Sequence, residues 1–268
     1  MMLDSHPDLA IPPETNFLPR VSRKCSGVAN PSNRFVETLT SFTRWPDFHL
    51  DGDSLKQRVA AIHPFALSDA LRAFYTLYAE QFGKPRWGDK TPRYLEHMIC
   101  IQELLPEARF IHLIRDGRDV ALSTLDLWFG PSSIPEAADW WLSKINKARE
   151  QAKDLRFYLE IRYEDLVLDS ESTLRRVCDY IDLPWNRLML DYYKRSEERV
   201  AELNADVTAP DGTRRVSVEE RRRIFWMTKQ PLDASRIGRW RKEMSLSDRR
   251  CFEKIAGEAL GELGYDLV

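Results

Sequence analysis

In RFIHLIRDGRDVALST, residues 109–124, an apolar run ends at Arg115, and a serine follows eight positions later at Ser123. Arginine presents a planar fork of five N–H donors that stays charged, and serine adds a hydroxyl. The Asp116–Gly117 turn marks a helix start, where free N–H groups and the positive end of the dipole face the same crevice as the arginine. Fork, hydroxyl and helix start together suit a dianionic phosphate. The same residues also allow an internal arrangement, with Arg115 paired to Asp116 or Asp119 and Ser123 merely packed. Spacing alone does not separate the two.

Such a group needs a strand before it and a helix after it. Arg109 to Ile114 reads as the strand and Asp116 to Phe129 as the helix, broken at Gly130-Pro131. Residues 136 to 154 are helical again. RFYLEIRYEDLV is a second strand ending near Tyr163, and DSESTLRRVCDYIDL is a capped helix. Upstream, the first sixty residues are irregular and proline-rich, apart from a short helix over Asp53 to Ile62. SDALRAFYTLYAEQFGK places Leu71, Phe74, Tyr75, Tyr78 and Phe82 on one helical face, with Ser68 or Asp69 as cap. WGDKTPRYLEHMICIQELL is a turn and then a helix, with Pro92 in its first turn. Residues 195 to 235 are highly charged and read as a mobile segment with some helix, and SLSDRRCFEKIAGEALGELGY closes the chain as an amphipathic helix. Strands alternating with helices predict the α/β class: a parallel sheet with helices on both faces, whose strand carboxyl ends form a ligand crevice.

The 268 residues are 43% hydrophobic, enough for a sizeable core, and the net charge of −2 with mixed signs argues against a nucleic-acid partner. Cys25, Cys100, Cys178 and Cys251 are far apart, with no CxxC and no metal-ligand spacing, so they read as ordinary thiols in a reducing compartment. No apolar run has membrane-spanning length and no signal peptide opens the chain, which predicts a cytoplasmic protein.

The segment LIRDGRDVALS resembles the 3′-phosphate-binding segment of sulfotransferases that use 3′-phosphoadenosine 5′-phosphosulfate (PAPS). Further segments are similar to that family in the same order: GDKTPRYL to its K-T-x segment, YEDLV to the strand end bordering the adenine, and SRIGRW to its late basic segment. The resemblance spans nearly the whole chain and implies one domain, 1–268, with a P-loop NTPase-like fold. It implies that Arg115 and Ser123 grip the 3′-phosphate and that Tyr163 borders the adenine. Arg236 would close on the same phosphate, with Gly238 allowing close backbone approach. Lys90 would stabilise charge near the transferred group, and the chemistry needs no metal. In PPETNFLPR, Glu14 matches the catalytic glutamate of protein-tyrosine sulfotransferases and is the candidate base. Asn16 departs from that group, which carries a basic residue there. Taken singly, Lys90 suits a solvated surface, Tyr163 a core, and Glu14 a cap or ion pair in a proline-rich loop. His6, His63, His97 and His112 are weaker candidates for the base, and His112, mid-strand, reads as a buried core histidine.

The family's phosphate loop, similar to G-x-P-R-S-G-T-T, holds the 5′-phosphosulfate on backbone N–H groups and a basic side chain. Neither it nor a Walker GxxxxGK[ST] occurs in the sequence, and MMLDSHPDLAIPPETNFLPR resembles the family's segment just after that loop. The expectation is an N-terminally truncated chain without the first strand and phosphate loop. An exposed sheet edge would then invite partner pairing, and a homo-oligomer is among the expected partners. The acceptor is a small molecule, carbohydrate or peptide, met by loops 20–60 and 128–136 with Trp45, Trp128 and Phe129 as walls, while Trp140 and Trp141 read as core. Two other functions compete: a non-catalytic module binding a 3′-phosphorylated adenine nucleotide, and a kinase relative, which the absent Walker lysine disfavours.

Overall fold

The computed structural model describes the chain except Asp126, Trp128, Phe129 and residues 209–211, and except the side chains of Trp226 and Met227. Of the expected acceptor walls, Trp128 and Phe129 therefore lie outside the described residues. Six described strands form three two-stranded sheets: β1 (Leu9–Ala10), β2 (Arg86–Trp87), β3 (Phe110–Ile114), β4 (Tyr158–Arg162), β5 (Val207–Thr208) and β6 (Arg214–Val216). β3–β4 is parallel, as the strand–helix alternation predicts; β1–β2 is also parallel but lies where the sequence suggested no strand, and β5–β6 is antiparallel. The chain divides into two compact units. No helix among the described residues is long and apolar enough to cross a membrane.

The first unit contains residues 1–106 and 186–231. Its core is built on the helix Leu67–Glu80, where Leu71, Phe74, Tyr75 and Tyr78 are buried at the predicted helical spacing. Phe82 lies beyond the helix end and is 40% exposed, so it falls outside that face. Ala66 occupies the cap position with no side-chain bond, and neither Ser68 nor Asp69 caps. Phe74 meets Phe17 and Phe48 edge-on at 5.0 and 5.2 Å, and Tyr75 stacks on Trp87 at 4.5 Å. Trp45 packs on Phe48 and Phe74. The charged 195–235 segment holds helices Ser196–Ala201 and Val218–Ile224 and the β5–β6 hairpin, which the periodicity had not suggested. Buried Asp47 secures it by accepting from Asn204 N–H, Ala205 N–H and Arg221.

The second unit contains residues 107–185 and 232–268. β3 and β4 run in register from Phe110↔Tyr158 to Ile114↔Arg162. Ile114, Trp141, Trp240 and Phe252 anchor its core. The helix after β3 covers Gly117–Thr124, shorter than the expected Asp116 to Phe129. Gly117 is required by space: a Cβ there would stand 2.6 Å from the Trp141 ring and 2.7 Å from that of Phe252. Trp141 Nε1 also donates to the Arg115 carbonyl at 3.1 Å, so the core holds the strand end directly. Trp140, expected in the core, is instead 41% exposed, because neighbours on a helix point about 100° apart. Arg118 is fully buried, donates to Asp116 and Glu253, and lies 3.5 Å from the centre of the Trp240 ring. The four cysteines are free thiols.

Candidate active site

Arg115 leaves the end of β3 with its guanidinium contacted from three segments of the second unit. It donates to Ser123 Oγ at 3.3 Å and to the Arg236 carbonyl at 2.6 Å, and it lies 4.9 Å from the centre of the Tyr163 ring. Each neighbour is delivered by local structure. Ser123 sits two turns into the Gly117–Thr124 helix, whose start Asp116 caps by accepting from Arg118 N–H at 2.9 Å. Tyr163 opens the helix Tyr163–Leu168 directly after β4. Arg236 ends the 3-10 turn Ala234–Arg236, and Gly238 follows at φ +68°, a left-handed conformation that favours glycine. The conformation, not room for a close approach, requires glycine here: an added Cβ would meet only Arg241 Nε at 3.5 Å.

Asp119 latches that late segment to the helix. Its fully buried carboxylate accepts from Gly238 N–H at 2.7 Å and Trp240 N–H at 3.0 Å. Burial pushes this carboxyl above the ordinary aspartate value, and the two N–H bonds oppose the shift. Arg115 is 3.8 Å from Asp119, and Ser123 Oγ donates to the Asp119 carbonyl at 2.8 Å. The internal pairing and the convergent donor set therefore coexist. Arg115 Nε is buried without a hydrogen-bond partner among the described residues, and Ser123 is exposed, so the group retains capacity for an anion.

In the first unit, Lys90 Nζ donates to Glu14 Oε1 at 2.7 Å. Arg44 donates to the Glu14 carbonyl and lies 3.9 Å from its carboxylate, so two cations flank Glu14. Glu14 and Lys90, 76 positions apart, are thus brought together as a carboxylate–ammonium pair. Arg44 is a cation beside Glu14 that sequence spacing had not identified. His112, expected as a buried core histidine, is only half-buried; its Nδ1 lies 2.6 Å from Tyr158 Oη, and partial burial lowers its pKa.

Beneath the pair, Asp89 Oδ2 accepts from Thr15 Oγ1 at 2.6 Å and Tyr75 Oη at 2.8 Å. Burial raises the Asp89 carboxyl above its ordinary 3.8, with the hydroxyl donors opposing. The folded state thus holds this proton more tightly than the unfolded chain does. The resulting stability is fully present below the ordinary value and is lost as pH rises through the folded one. Asp89→Asn removes that loss. Its unfolding free energy relative to wild type, measured in urea from about pH 4 to about pH 7, is expected to rise with pH. A flat difference would contradict this assignment.

A sequence model described as "Sulfotransferase family" matches residues 1–187. Protein-tyrosine sulfotransferase of Drosophila melanogaster is 27% identical over 200 residues, covering 71% of this chain and 36% of that protein. Protein-tyrosine sulfotransferase 1 of Danio rerio is 24% identical over 273 residues, covering 99% of this chain and 67% of that protein. The chain therefore spans only about a third of the Drosophila relative's length. Among solved structures, the sulfotransferase domain of the Synechococcus PCC 7002 olefin synthase superposes with a TM-score of 0.56 at 20% identity, covering 100% of this chain and 89% of that one. That likeness supports the P-loop-like α/β fold. From the family match over most of its length, with strand, arginine and helix arranged as described, the chain belongs to the sulfotransferase family.

Proposed function

We propose that the protein transfers a sulfuryl group from PAPS to an acceptor hydroxyl or amine by in-line displacement. The observation that carries this is the convergence of Ser123, Tyr163 and the Arg236 carbonyl on the Arg115 guanidinium. A guanidinium fork with an adjacent exposed hydroxyl matches a phosphate monoester, and an aromatic face beside it matches a purine. We assign the 3′-phosphate to Arg115, Ser123 and Arg236, the adenine edge to Tyr163, and the turn that carries the clamp to Gly238.

PAPS supplies an activated sulfur with a phosphate leaving group. The acceptor oxygen or nitrogen bonds to sulfur as the sulfur–oxygen bond to that phosphate breaks. Glu14 takes the acceptor's proton, and Lys90 offsets charge on the leaving oxygen. Their mutual contact at 2.7 Å holds the two groups side by side. We assign no role to a metal. The proposal keeps 1–268 as one sulfotransferase-like domain acting in the cytoplasm, with self-association allowed.

A tyrosine peptide is the first acceptor to test, because relatives are named protein-tyrosine sulfotransferases. Asn16 makes carbohydrate and small-molecule hydroxyls the necessary comparison. The experiment is incubation of the full chain with sulfur-labelled PAPS and these three acceptor classes. Label on an acceptor is the expected result. Nucleotide binding without transfer to any class would favour a non-catalytic binding module instead.

A further inference from the structure

We propose that Thr15 and Asp89 form a positioning bridge that sets the Glu14–Lys90 pair. This rests on the sulfotransferase assignment of that pair. Glu14 and Lys90 are 28% and 58% exposed in their side chains, and an exposed ion pair alone fixes geometry weakly. The residues next to them are held far more firmly. Thr15, immediately after Glu14, is fully buried. Its N–H donates to Thr91 Oγ1 at 3.0 Å, its Oγ1 bonds Asp89 Oδ2 at 2.6 Å, and it lies 2.7 Å from Tyr94 Oη. Asp89 and Thr91 bracket Lys90, so both bonds to Thr15 clamp the Lys90 backbone beside that of Glu14.

Two further features fit a bridge built for position. Asn16 takes φ +49°, a left-handed conformation that asparagine is among the few residues to tolerate, directly after Thr15. Asp89 Oδ1 is buried with no hydrogen-bond partner among the described residues, an expense that packing alone does not explain. Tyr75 Oη also donates to Asp89 Oδ2, but from the Leu67–Glu80 helix and without contact to the Glu14 loop. Removing it tests structural support without breaking the bridge.

The test compares Thr15→Val, Thr15→Ser and Tyr75→Phe in the full chain. The first readout is competitive acylation of Lys90 by trace acetic anhydride, normalised to exposed Lys56. The second is kcat and KM for PAPS. Thr15→Val is expected to accelerate Lys90 acylation about 10-fold and lower kcat about 10-fold at unchanged KM, the scale of one hydrogen bond to a charged group. Thr15→Ser is expected to restore both, and Tyr75→Phe to change each by less than about 2-fold. Wild-type acylation in Thr15→Val, or an equal effect in Tyr75→Phe, overturns the bridge. If wild type transfers no sulfuryl group, the functional assignment falls while Lys90 acylation still decides the bridge. If Thr15→Val does not fold, Thr91→Val removes the acceptor of the Thr15 N–H and is expected to give the same acceleration; a wild-type rate there overturns the bridge.

Discussion

Glu14→Gln is expected to lower turnover by about 10²–10⁴-fold, the usual contribution of a positioned general base. Affinity for 3′,5′-adenosine bisphosphate should be unchanged, because the donor groups assigned to that ligand lie elsewhere in the chain. Glutamine keeps the size of glutamate and can still accept from Lys90, so the 2.7 Å contact is preserved in shape while the basic site is lost. Steady-state kinetics, beside calorimetric binding, reads both effects. Full activity in the folded variant would remove Glu14 as the base and leave it as a partner for Lys90 and Arg44.

Arg115→Ala is expected to weaken binding of the bisphosphate by about 1.5–3 kcal/mol, roughly 10- to 150-fold, the range for hydrogen bonds to a charged group. Under the proposal this arginine has two jobs. It grips the assigned phosphate beside Ser123, to which it donates at 3.3 Å, and it donates to the Arg236 carbonyl at 2.6 Å. Alanine removes a ligand group and loosens the turn that carries the other arginine. Arg115→Lys should recover little, because a single ammonium does not reproduce a fork that reaches Ser123 and the Arg236 carbonyl together. Affinity for 5′-AMP should barely move in either variant. Unchanged bisphosphate affinity in a folded Arg115→Ala protein would remove the clamp.

The strand–arginine–helix segment was legible because each part has a short-range signal. An apolar run ends at a charge, and helical spacing resumes after a glycine. The strand began one residue later than expected, at Phe110, and the helix stopped at Thr124. Adjacent Trp140 and Trp141 could not both face one core, and only Trp141 does. The supporting bonds were illegible because they join residues far apart in the chain. Asp119 captures backbone N–H groups 119 and 121 positions away, and Thr15 reaches Asp89 across 74. Nothing in local composition marks an aspartate for such a role, since the same residue types usually cap helices or face water. The family resemblance supplied Glu14, Tyr163 and Arg236, which spacing alone would have left as a loop acid, a core aromatic and a surface cation.

The most direct test of the account is calorimetric affinity of the full chain for 3′,5′-adenosine bisphosphate beside 5′-AMP. The two ligands differ only in the group assigned to Arg115, Ser123 and Arg236. The account predicts that the bisphosphate binds at least about 10-fold more tightly, as a charge-assisted clamp on one phosphate requires. Equal affinities, or no binding of either ligand by a folded sample, would contradict it.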